Sequence, residues 1–337
     1  MLKELLPRLV AREDLAADEA AAAMGEIMDG AATQAQIAAF ATALRMKGET
    51  VEEITGCCRA MRQRVVGIAA PTAGPVLDTC GTGGDARGTF NFSTVAAIVV
   101  AAGGVTVAKH GNRAASSKCG SADLLEMLGV KIELPKERLE SGLRDIGIAY
   151  LHAPALHPAM KHAGPVRKEL GFRTIFNALG PLTNPAFADT QTIGIFSDVY
   201  VRPFAEVLKA LGSRSAFTFH GAGGLDEISL LGPTKAARLS KGKITTLTID
   251  PKPLGFKKSK LSDLVGDTPA RNVEIVRSVL KREKSAYRDG VVIAAAFAFV
   301  AADKVTSPRE GVAFAAAVID DGRAARKLEE WAAYTQK

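Results

Sequence analysis

Two glycine-containing loops stand at the ends of two consecutive predicted strands, and both could bind an anion. An apolar run ends in the loop Gly81–Asp85, after which Asn91–Thr94 opens the apolar helical run Val95–Ala102. The β-branched run Val105–Val107 then leads into Lys109–Arg113, which reads KHGNR. Because the carboxyl ends of parallel strands lie side by side, we expect both loops at one edge of an open α/β sheet, where such folds bind ligands.

The residue types in these loops predict a phosphate-bearing substrate. Glycines let backbone N–H groups turn toward an anion, and Ser93 and Thr94 add hydroxyl groups at a helix N-terminus whose dipole favours negative charge. Lys109 and Arg113 add formal positive charge. One such loop alone is equally typical of an ordinary strand-to-helix turn, whereas two converging loops favour an anion site. The first loop fits neither the dinucleotide fingerprint GxGxxG nor the Walker loop GxxxxGK(S/T).

A third group of candidate residues follows the predicted strand Ala216–Phe219, which runs into a glycine-containing loop with adjacent carboxylates at Asp226 and Glu227. Such a pair by itself is common on protein surfaces. At a strand end near two anion-binding loops, however, it would hold Mg²⁺ directly or through water, because Mg²⁺ keeps several waters and takes few carboxylates. The sequence therefore predicts a magnesium ion that bridges to phosphate oxygens of the substrate.

Residues 152–185 interrupt the alternation of strands and helices and contain a candidate receptor for a carboxylate. The predicted helix Ala159–Leu170 has an apolar side, and Arg167 lies elsewhere on it. If this insert packs on the N-terminal helices, Arg167 can face the cleft from the side opposite the phosphate loops. Its planar guanidinium would then bind a carboxylate through two hydrogen bonds. A plain surface arginine is an equally open interpretation.

The elements that must position these residues form two units. Residues 1–70 have a helical pattern with capping boxes at Thr33 and Thr50, and Pro71–Pro75 marks a boundary. Helices then alternate with predicted strands, which include Lys131–Leu134, Ile148–Leu151, Thr192–Phe196, a strand near Leu230 and Ile244–Ile249. We predict an α/β fold class in which a small helical domain precedes a large α/β domain with a central, mostly parallel sheet. The helical domain is residues 1–70, completed by 155–185, and the α/β domain is residues 71–154 and 186–337.

Composition is that of an ordinary globular protein, with 337 residues of which 47% are hydrophobic and 23% charged. The N-terminal residues lack an apolar core of signal length, and the apolar runs Val95–Ala102 and Val291–Ala302 are too short to span a bilayer. We therefore expect a soluble, cytoplasmic protein without a membrane partner. The net charge of +7 suits an anionic substrate as well as a nucleic acid, although the basic stretches carry few aromatic residues.

The cysteines and histidines do not predict a metal site. No CxxC pair occurs among Cys57, Cys58, Cys80 and Cys119, so reduced thiols are expected. A spacing of five residues does not place three histidines on one helical face, and this is the spacing of His152, His157 and His162.

Six motifs together closely resemble the anthranilate phosphoribosyltransferase family over essentially the whole chain. They are GTGGD at Gly81–Asp85, NFST at Asn91–Thr94, KHGNR at Lys109–Arg113, HPAMK at His157–Lys161, RTIFNALGPLTNP at Arg173–Pro185 and GLDEIS at Gly224–Ser229. The resemblance implies the fold shared with pyrimidine nucleoside phosphorylases. That fold has a small helical domain, a larger α/β domain, a cleft between them and usually a homodimer formed through the helical domain.

The resemblance also implies which residues bind the substrates. It places phosphoribosyl pyrophosphate (PRPP) at Gly81, Gly84, Asp85, Thr89, Asn91, Phe92, Ser93 and Thr94 of the first loop and helix start. The second loop adds Lys109, His110, Gly111, Asn112, Arg113, Ala114, Ala115, Ser116, Ser117 and Ser121. Anthranilate is implied at Gly81, Asn112 and Arg167, with His110 and His157 nearby. The implied cofactor is Mg²⁺, held by Ser93, Asp226 and Glu227.

The implied reaction transfers the 5-phosphoribosyl group from PRPP to the amine of anthranilate and releases pyrophosphate, in tryptophan biosynthesis. No covalent nucleophile is expected, and Lys109 and Asn112 would position the substrates. Nucleic acid is not an expected partner. Two departures from the family pattern bear on local packing: Ala294 and Arg282 stand where asparagine and glycine are common.

Two alternative functions remain open from the residues. One is a nucleoside phosphorylase on the same fold, and the other is a non-catalytic relative that binds nucleic acid. The carboxylate pair Asp226 and Glu227 argues against the first, because phosphorolysis with inorganic phosphate does not require a metal site that bridges pyrophosphate. A nucleic-acid-binding relative would have little reason to retain both phosphate loops and both carboxylates.

Overall fold

Helices make up the N-terminal part of the chain. The computed structural model describes residues 1–83, 87–114 and 118–337. The first helices are α1 (Leu2–Val10), α2 (Ala17–Met28), α3 (Gln34–Lys47) and α4 (Val51–Arg62). The predicted caps are confirmed, because Thr33 Oγ1 accepts a hydrogen bond from Gln36 N at 3.3 Å and Thr50 Oγ1 accepts one from Glu53 N at 3.2 Å.

A sheet of seven strands, counted over the described residues, forms the centre of the remaining chain. The strands are β1 (Val76–Gly81), β2 (Thr106–Gly111), β3 (Ile148–His152), β4 (Thr190–Gly194), β5 (Ser215–His220), β6 (Thr234–Ser240) and β7 (Lys243–Ile249). Their order is β3-β2-β1-β4-β5-β6-β7. The first five are parallel, whereas β6 and β7 are antiparallel to their neighbours. A small helical part followed by a large α/β part with a mostly parallel sheet confirms the predicted fold class.

The helices after β1 surround this sheet. They are α5 (Phe92–Ala102), α6 (Ser121–Met127), α7 (Lys136–Asp145), α8 (Ala153–Leu156), α9 (Gly164–Leu170), α10 (Ile175–Leu182), α11 (Val201–Ala210), α12 (Pro269–Leu280), α13 (Ala286–Ala301), α14 (Pro308–Asp320) and α15 (Arg323–Gln336). Short 3-10 helices lie at Pro158–His162, Asp198–Tyr200, Lys252–Leu254 and Leu261–Asp263. None of the helices in the described ranges combines the length and apolar character needed to cross a membrane.

Two predicted strands are wrong, and one predicted helix is divided. The segment Lys131–Leu134 is not a strand, because its first N–H donates to Thr335 Oγ1 of α15 at 3.0 Å. The region of Leu230 is a turn, where Leu231 N donates to Ser229 Oγ at 3.0 Å. The predicted helix Ala159–Leu170 is a 3-10 turn followed by α9, and the proline near the start of α9 lacks the N–H that a continuous helix would need.

The insert between β3 and β4 packs on the N-terminal helices. Helix α9 contacts α3, and α10 contacts both α3 and α4. A single buried apolar cluster contains Phe40 of α3, Ile54 of α4, Val166 of α9 and Leu179 of α10. This packing is consistent with a helical domain that includes the insert. The exact boundaries of the two domains stay a prediction.

Both faces of the sheet are covered. On β5, Ala216 belongs to the cluster under the N-terminal helices, and the next residue, Phe217, belongs to a second cluster with α5 and α13. Successive side chains of a strand point to opposite faces, so the parallel strands are buried from both sides. The loops at the carboxyl ends of the strands are therefore held on a rigid base.

Candidate active site

Strand β1 lies where the strand order changes direction. The chain continues from β1 to β2 and β3 on one side, whereas β4 and β5 lie on the other side. Gly81 at the end of β1 pairs with Gly194 at the end of β4. Open α/β sheets bind ligands in the crevice outside the carboxyl ends of the strands at such a switch point. The crevice above these two glycines is therefore the candidate site.

The first glycine loop is held against the loop that carries the carboxylate pair. Thr82 N donates to Gly194 O at 2.9 Å, and Gly83 N donates to Asp226 Oδ2 at 2.9 Å. A Cβ added at Gly194 would lie 1.6 Å from the carbonyl oxygen of Asp226, and one at Gly81 would lie 2.9 Å from Asp226 Oδ2. Glycine at both positions lets the Asp226 loop rest directly on the ends of β1 and β4.

Helix α5 begins beside the same strand end. Thr79 Oγ1 of β1 donates to the carbonyl oxygen of Ser93 at 2.9 Å, which fixes the first turn of α5 against the sheet. Ser93 is partly exposed, whereas Thr94 is buried. The N-terminus of α5 therefore offers backbone N–H groups, the positive end of its dipole and the Ser93 hydroxyl to an anion.

Lys109 lies under the crevice and not on its rim. Its side chain is buried, with Nζ donating to the carbonyl oxygen of Thr79 at 2.5 Å. Burial lowers the pKa of Lys109, while the charges of Asp78 and Glu227 oppose that shift. The attraction between Lys109 and these carboxylates places a positive charge between β1 and the carboxylate loop.

Asp78 is a charged residue of the site that the sequence reasoning missed. Its carboxylate is fully buried and accepts hydrogen bonds from His110 N at 3.0 Å and from Asn184 Nδ2 at 2.8 Å. Burial raises the pKa of Asp78, and the positive charge of Lys109 opposes this shift. The available signal was a carboxylate inside the apolar strand VLDTC, since buried carboxylates are rare unless they are paired.

His110 and His157 form a neutral aromatic wall beside the crevice. Their ring centres are 5.0 Å apart, and His110 Nδ1 lies 3.1 Å from the carbonyl oxygen of Gly180. In the neutral tautomer that carries its proton on Nδ1, His110 donates a hydrogen bond to this oxygen. Burial lowers the pKa of His110 to about 3 and that of His157 to about 4. Both Nε2 atoms are buried and have no hydrogen-bond partner in the part of the chain that the structure describes.

Arg113 directs its charge away from the crevice. Its guanidinium bonds both oxygens of Glu126, at 2.6 and 2.9 Å, and Oδ1 of Asp123 at 3.3 Å. These carboxylates raise the pKa of Arg113, the Glu126 hydrogen bond most. The predicted role of Arg113 in supplying free positive charge therefore has no support from its side-chain contacts, because two carboxylates of α6 already neutralise it.

The carboxylates of Asp226 and Glu227 interact with different parts of the site, Asp226 with the first glycine loop and Glu227 with Lys109. Both side chains are partly exposed. Asp226 accepts from the first loop, as described above, and Glu227 acts on Lys109 through its charge. Residues 1–83, 87–114 and 118–337 contain no group of three or more histidine, cysteine, aspartate or glutamate side chains placed to hold a metal.

Arg167 lies on α9, within the insert. Its residue surface is exposed, but the surrounding protein removes enough water to lower the pKa of its guanidinium. In the described ranges no carboxylate pairs with this guanidinium and no hydrogen bond engages it. Its charge can therefore accept a carboxylate from a ligand.

Comparisons with known proteins agree with this geometry. A model of the glycosyl transferase family helical bundle domain matches residues 3–65, and one of the glycosyl transferase family a/b domain matches residues 73–325. The anthranilate phosphoribosyltransferase of Moorella thermoacetica is 50% identical over 337 residues, which cover 100% of this chain and 99% of that protein. The corresponding protein of Geobacter sulfurreducens is 49% identical and matches 98% of each chain.

The chain belongs to the anthranilate phosphoribosyltransferase family. Solved structures of the family have the same fold: that from Thermus thermophilus has 43% identity and a TM-score of 0.93 over 98% of this chain and 99% of its own. The Saccharomyces cerevisiae protein in complex with PRPP and Mg has 26% identity and a TM-score of 0.90, covering 99% and 98% of the two chains. The resemblance drawn from the six motifs is confirmed, and neither alternative function is favoured.

The remaining predicted residues fall into three groups. Gly84, Asp85, Ala115, Ser116 and Ser117 lie outside the described residues. The Phe92 side chain is buried in the apolar core, so only its backbone is available to a ligand. The third group forms hydrogen bonds or strand pairs with neighbouring residues near the two loops, and its members are Thr89, Asn91, Gly111, Asn112, Ala114 and Ser121. Among these, Ser121 Oγ lies 3.3 Å from Asn112 O and 3.2 Å from Tyr150 Oη, and Ala114 N donates to Asp123 Oδ2 at 3.0 Å.

Arg173 is a further residue at the site, and motif reasoning left it without a role. Its guanidinium donates to the carbonyl oxygen of Gly83 and lies 4.1 Å from the ring centre of Phe196. Through this contact the insert reaches the first glycine loop directly. The signal in the sequence was an arginine at the start of the RTIFN motif, but its partner is 90 residues away.

Proposed function

We propose that this chain transfers the 5-phosphoribosyl group of PRPP to the amine of anthranilate and releases pyrophosphate, a step of tryptophan biosynthesis. The observation that carries the proposal is the crevice at the β1 and β4 ends. There the first glycine loop, the start of α5, buried Lys109 and the Asp226 and Glu227 pair converge in a chain of this family. An anion-binding helix N-terminus opposite two carboxylates suits a substrate that carries both phosphate and a cation.

We assign PRPP to the two glycine loops and to the starts of α5 and α6. Backbone N–H groups near Gly81, the hydroxyl of Ser93 and the start of α5 would contact phosphate oxygens. Lys109 would add a positive charge beneath them, held by Thr79 O and Asp78. Because these groups are fixed before the substrate binds, they need little reorganisation during the reaction.

The donor set at the carboxylate pair fits Mg²⁺. Asp226, Glu227 and the Ser93 hydroxyl are hard oxygen donors, and two partly exposed carboxylates leave coordination positions for water and phosphate. A related yeast structure is in complex with PRPP and Mg, which supports the assignment. When bound, Mg²⁺ would neutralise charge on the pyrophosphate leaving group. Asp226 would meanwhile keep its hydrogen bond from Gly83 N and so hold the first loop in place.

Anthranilate would bind across the cleft, between Arg167 and the second loop. The guanidinium of Arg167, with which no carboxylate of the described residues pairs, suits the carboxylate of anthranilate, and the neutral rings of His110 and His157 suit its aromatic ring. Gly81 and Asn112 would complete this side. A related yeast structure in complex with 4-fluoroanthranilate supports a site of this kind.

The reaction requires positioning more than acid–base chemistry. The amine of anthranilate is neutral near pH 7, so its lone pair can attack ribose C1 directly, forming the C–N bond as the bond from C1 to pyrophosphate breaks. The proton leaves the amine after attack, and no covalent intermediate with the protein is involved. Asn112 and Lys109 contribute by holding the two substrates in line.

We also propose a cytoplasmic homodimer formed through the helical domain. Val10 of α1 and Met46 of α3 expose 73% and 69% of their surface, and a dimer contact through the helical domain would cover such apolar side chains. Size-exclusion chromatography with light scattering tests this, and a monomer at micromolar concentration would contradict it.

The function is tested by following the loss of anthranilate fluorescence after PRPP is added, with Mg²⁺ and then with EDTA. We expect loss only when PRPP and Mg²⁺ are both present. The double variant Asp226→Asn with Glu227→Gln should lower turnover at least about a hundredfold while far-UV circular dichroism stays unchanged. Near-normal turnover of this variant would remove the two residues from the metal role. PRPP binding without fluorescence loss in the unmodified chain would point to a different acceptor.

A further inference from the structure

The segment between β7 and α12 is hydrogen-bonded through its backbone to residues 88–90, which lie between the first glycine loop and α5. Phe90 N donates to Leu264 O at 2.9 Å, and Gly266 N donates to Gly88 O at 2.8 Å. Between these bonds Thr89 and Val265 form an antiparallel bridge. We call residues 264–272 the strap; they run from the contacts with residues 88–90 into the first turn of α12. None of the site residues assigned above lies in it.

Asn272, at the C-terminal end of the strap, is the centre of a chain of side-chain hydrogen bonds. It is 1% exposed. Its Oδ1 accepts from Asp267 N at 2.8 Å, and its Nδ2 donates to Asn91 Oδ1 at 3.0 Å. Asn91, the residue before α5, then donates from its Nδ2 to Cys119 O at 3.1 Å, just before α6. The two asparagines thus form a relay that links the strap to the starts of both helices at the PRPP site.

The direction of this relay is fixed at both ends by backbone groups. Asp267 N–H can only donate, and Cys119 C=O can only accept. Asn272 must therefore present its amide NH₂ to Asn91, and Asn91 must present its own NH₂ to Cys119. If residue 272 could not donate, Asn91 would have to turn its amide around, and its oxygen would face the Cys119 carbonyl at close range.

We propose that Asn272 is a positioning residue for PRPP binding, which sets the start of α5 relative to the start of α6 through Asn91 and the Cys119 carbonyl. Both helix starts belong to the proposed PRPP site, so the inference rests on the proposed function. Asn272 itself touches neither substrate. A solvent-exposed salt bridge from Lys118 to Asp267, at 2.7 Å, is a second, independent contact between the strap and the residues that precede α6.

The test replaces Asn272 by aspartate, which keeps the shape and the acceptor but removes the donor. We expect Asn272→Asp to raise the KM for PRPP about tenfold and to leave the KM for anthranilate within about twofold, because Arg167, the proposed receptor of the anthranilate carboxylate, takes no part in the relay. A role in general stability would change both KM values alike or neither. An unchanged KM for PRPP, or an equal rise of both, overturns the proposal.

A matched control lies at the start of the same helix. Thr268 caps α12 by accepting from Arg271 N at 3.4 Å and takes no part in the relay. Thr268→Ala should lower the melting temperature slightly and leave the KM for PRPP unchanged. If it instead raises that KM as much as Asn272→Asp, the effect comes from α12 stability and the proposal fails.

A second variant keeps the proposal testable if Asn272→Asp does not fold. A Cβ at Gly266 would lie 3.0 Å from Asn272 Nδ2 and 3.1 Å from Phe90 Cα, so Gly266→Ala displaces the amide without removing it. We expect a severalfold rise in the KM for PRPP, and no rise overturns the proposal. Titration calorimetry with PRPP alone measures the Kd for PRPP of the unmodified chain and of each variant, without the transfer reaction. The Kd for PRPP tests the role of Asn272, and the loss of anthranilate fluorescence tests the transfer reaction. Failure of one proposal can therefore be distinguished from failure of the other.

Discussion

Burial sets the charge of the side chains that line the crevice. Lys109 and Asp78 are both buried, and burial alone would neutralise each of them, but their mutual attraction opposes both shifts. Within the described residues no carboxylate opposes the effect of burial on His110 and His157, so burial keeps both rings neutral. The balance between burial and a nearby opposite charge thus explains both the positive charge under the proposed phosphate site and the neutral rings beside the proposed anthranilate site.

His110 makes a measurable contribution to the pH dependence of stability. Its folded pKa of about 3 lies below the unfolded value of 6.5, so the unfolded chain binds more protons between these limits. Stability from this group is present above pH 6.5 and is lost as the pH falls through that window. From pH 7 to pH 5 the loss is about 2 kcal/mol.

The variant His110→Asn tests this contribution, because asparagine does not titrate and its Nδ2 can still donate to Gly180 O. We expect the free energy of unfolding in urea to fall by about 2 kcal/mol less between pH 7 and pH 5 in the variant than in the unmodified chain. An equal fall in both proteins would mean that His110 is protonated in the folded state at pH 5.

Arg167 should govern the affinity for anthranilate. We expect Arg167→Ala to raise the KM for anthranilate about tenfold or more, with a smaller rise in the KM for PRPP, because a charge-assisted pair of hydrogen bonds is lost. Arg167→Lys should recover only part of the affinity, since lysine lacks the planar fork. The neighbouring Lys168→Ala is the control and should leave both KM values unchanged. A larger rise in the KM for PRPP would contradict the assignment.

At the scale of elements, the carboxylate loop is placed by contact with the end of β4. A side chain at Gly194 would overlap the Asp226 carbonyl oxygen at 1.6 Å, and that oxygen is backbone and cannot move without the loop. We expect Gly194→Ala to raise the Mg²⁺ concentration needed for half-maximal turnover at least about tenfold. Gly164→Ala is the control, because a Cβ there meets no atom of the described residues within 4 Å. Unchanged magnesium dependence in Gly194→Ala would show that the loop is positioned from elsewhere.

Local signals predicted the elements well where partners are close in sequence. The capping boxes at Thr33 and Thr50 involve residues three positions apart, and the structure has both. The prediction of a strand at Lys131–Leu134 was wrong because the Lys131 N–H donates to the side-chain hydroxyl of Thr335, 204 residues away. Periodicity contains no information on such a partner, and a short segment that alternates polar and apolar residues has the same pattern whether or not it pairs.

For the candidate site, too, the sequence predicted residues that have a local signal and missed residues whose partners are far away in the chain. Loop motifs led to the prediction of the glycines, Lys109 and the Asp226 pair, because their residue types alone indicate anion and metal chemistry, and the structure brings these residues together. Asp78 and Asn272 act through buried hydrogen bonds to residues 32 and 181 positions away, and no local pattern indicates them. Arg113 shows the opposite case, since its type suggested a phosphate contact but α6 supplies its carboxylate partners.

At the scale of the whole molecule, the helical part and the sheet share one apolar cluster. It joins Phe40 of α3 and Leu179 of α10 to Ile193 of β4 and Leu208 of α11, all fully buried. Arg62 at the end of α4 also donates to Leu182 O at 3.0 Å and to Leu211 O at 3.4 Å. The N-terminal helices therefore bury their apolar face against the α/β domain, and we expect the two parts to unfold together.

The single tryptophan makes this cooperativity measurable. Trp331 is buried in the other apolar cluster, with α5 and α13, so its fluorescence reports the far side of the sheet. Phe40→Ala should remove about 3–5 kcal/mol of stability by opening a cavity in the shared cluster. Tryptophan fluorescence and far-UV circular dichroism should then shift to the same lower urea midpoint. The control Phe172→Ala, at a side chain 47% exposed, should leave both midpoints in place. A dichroism transition that moves while the fluorescence transition stays would mean that the helical domain unfolds independently, and the shared cluster would then not couple the two parts.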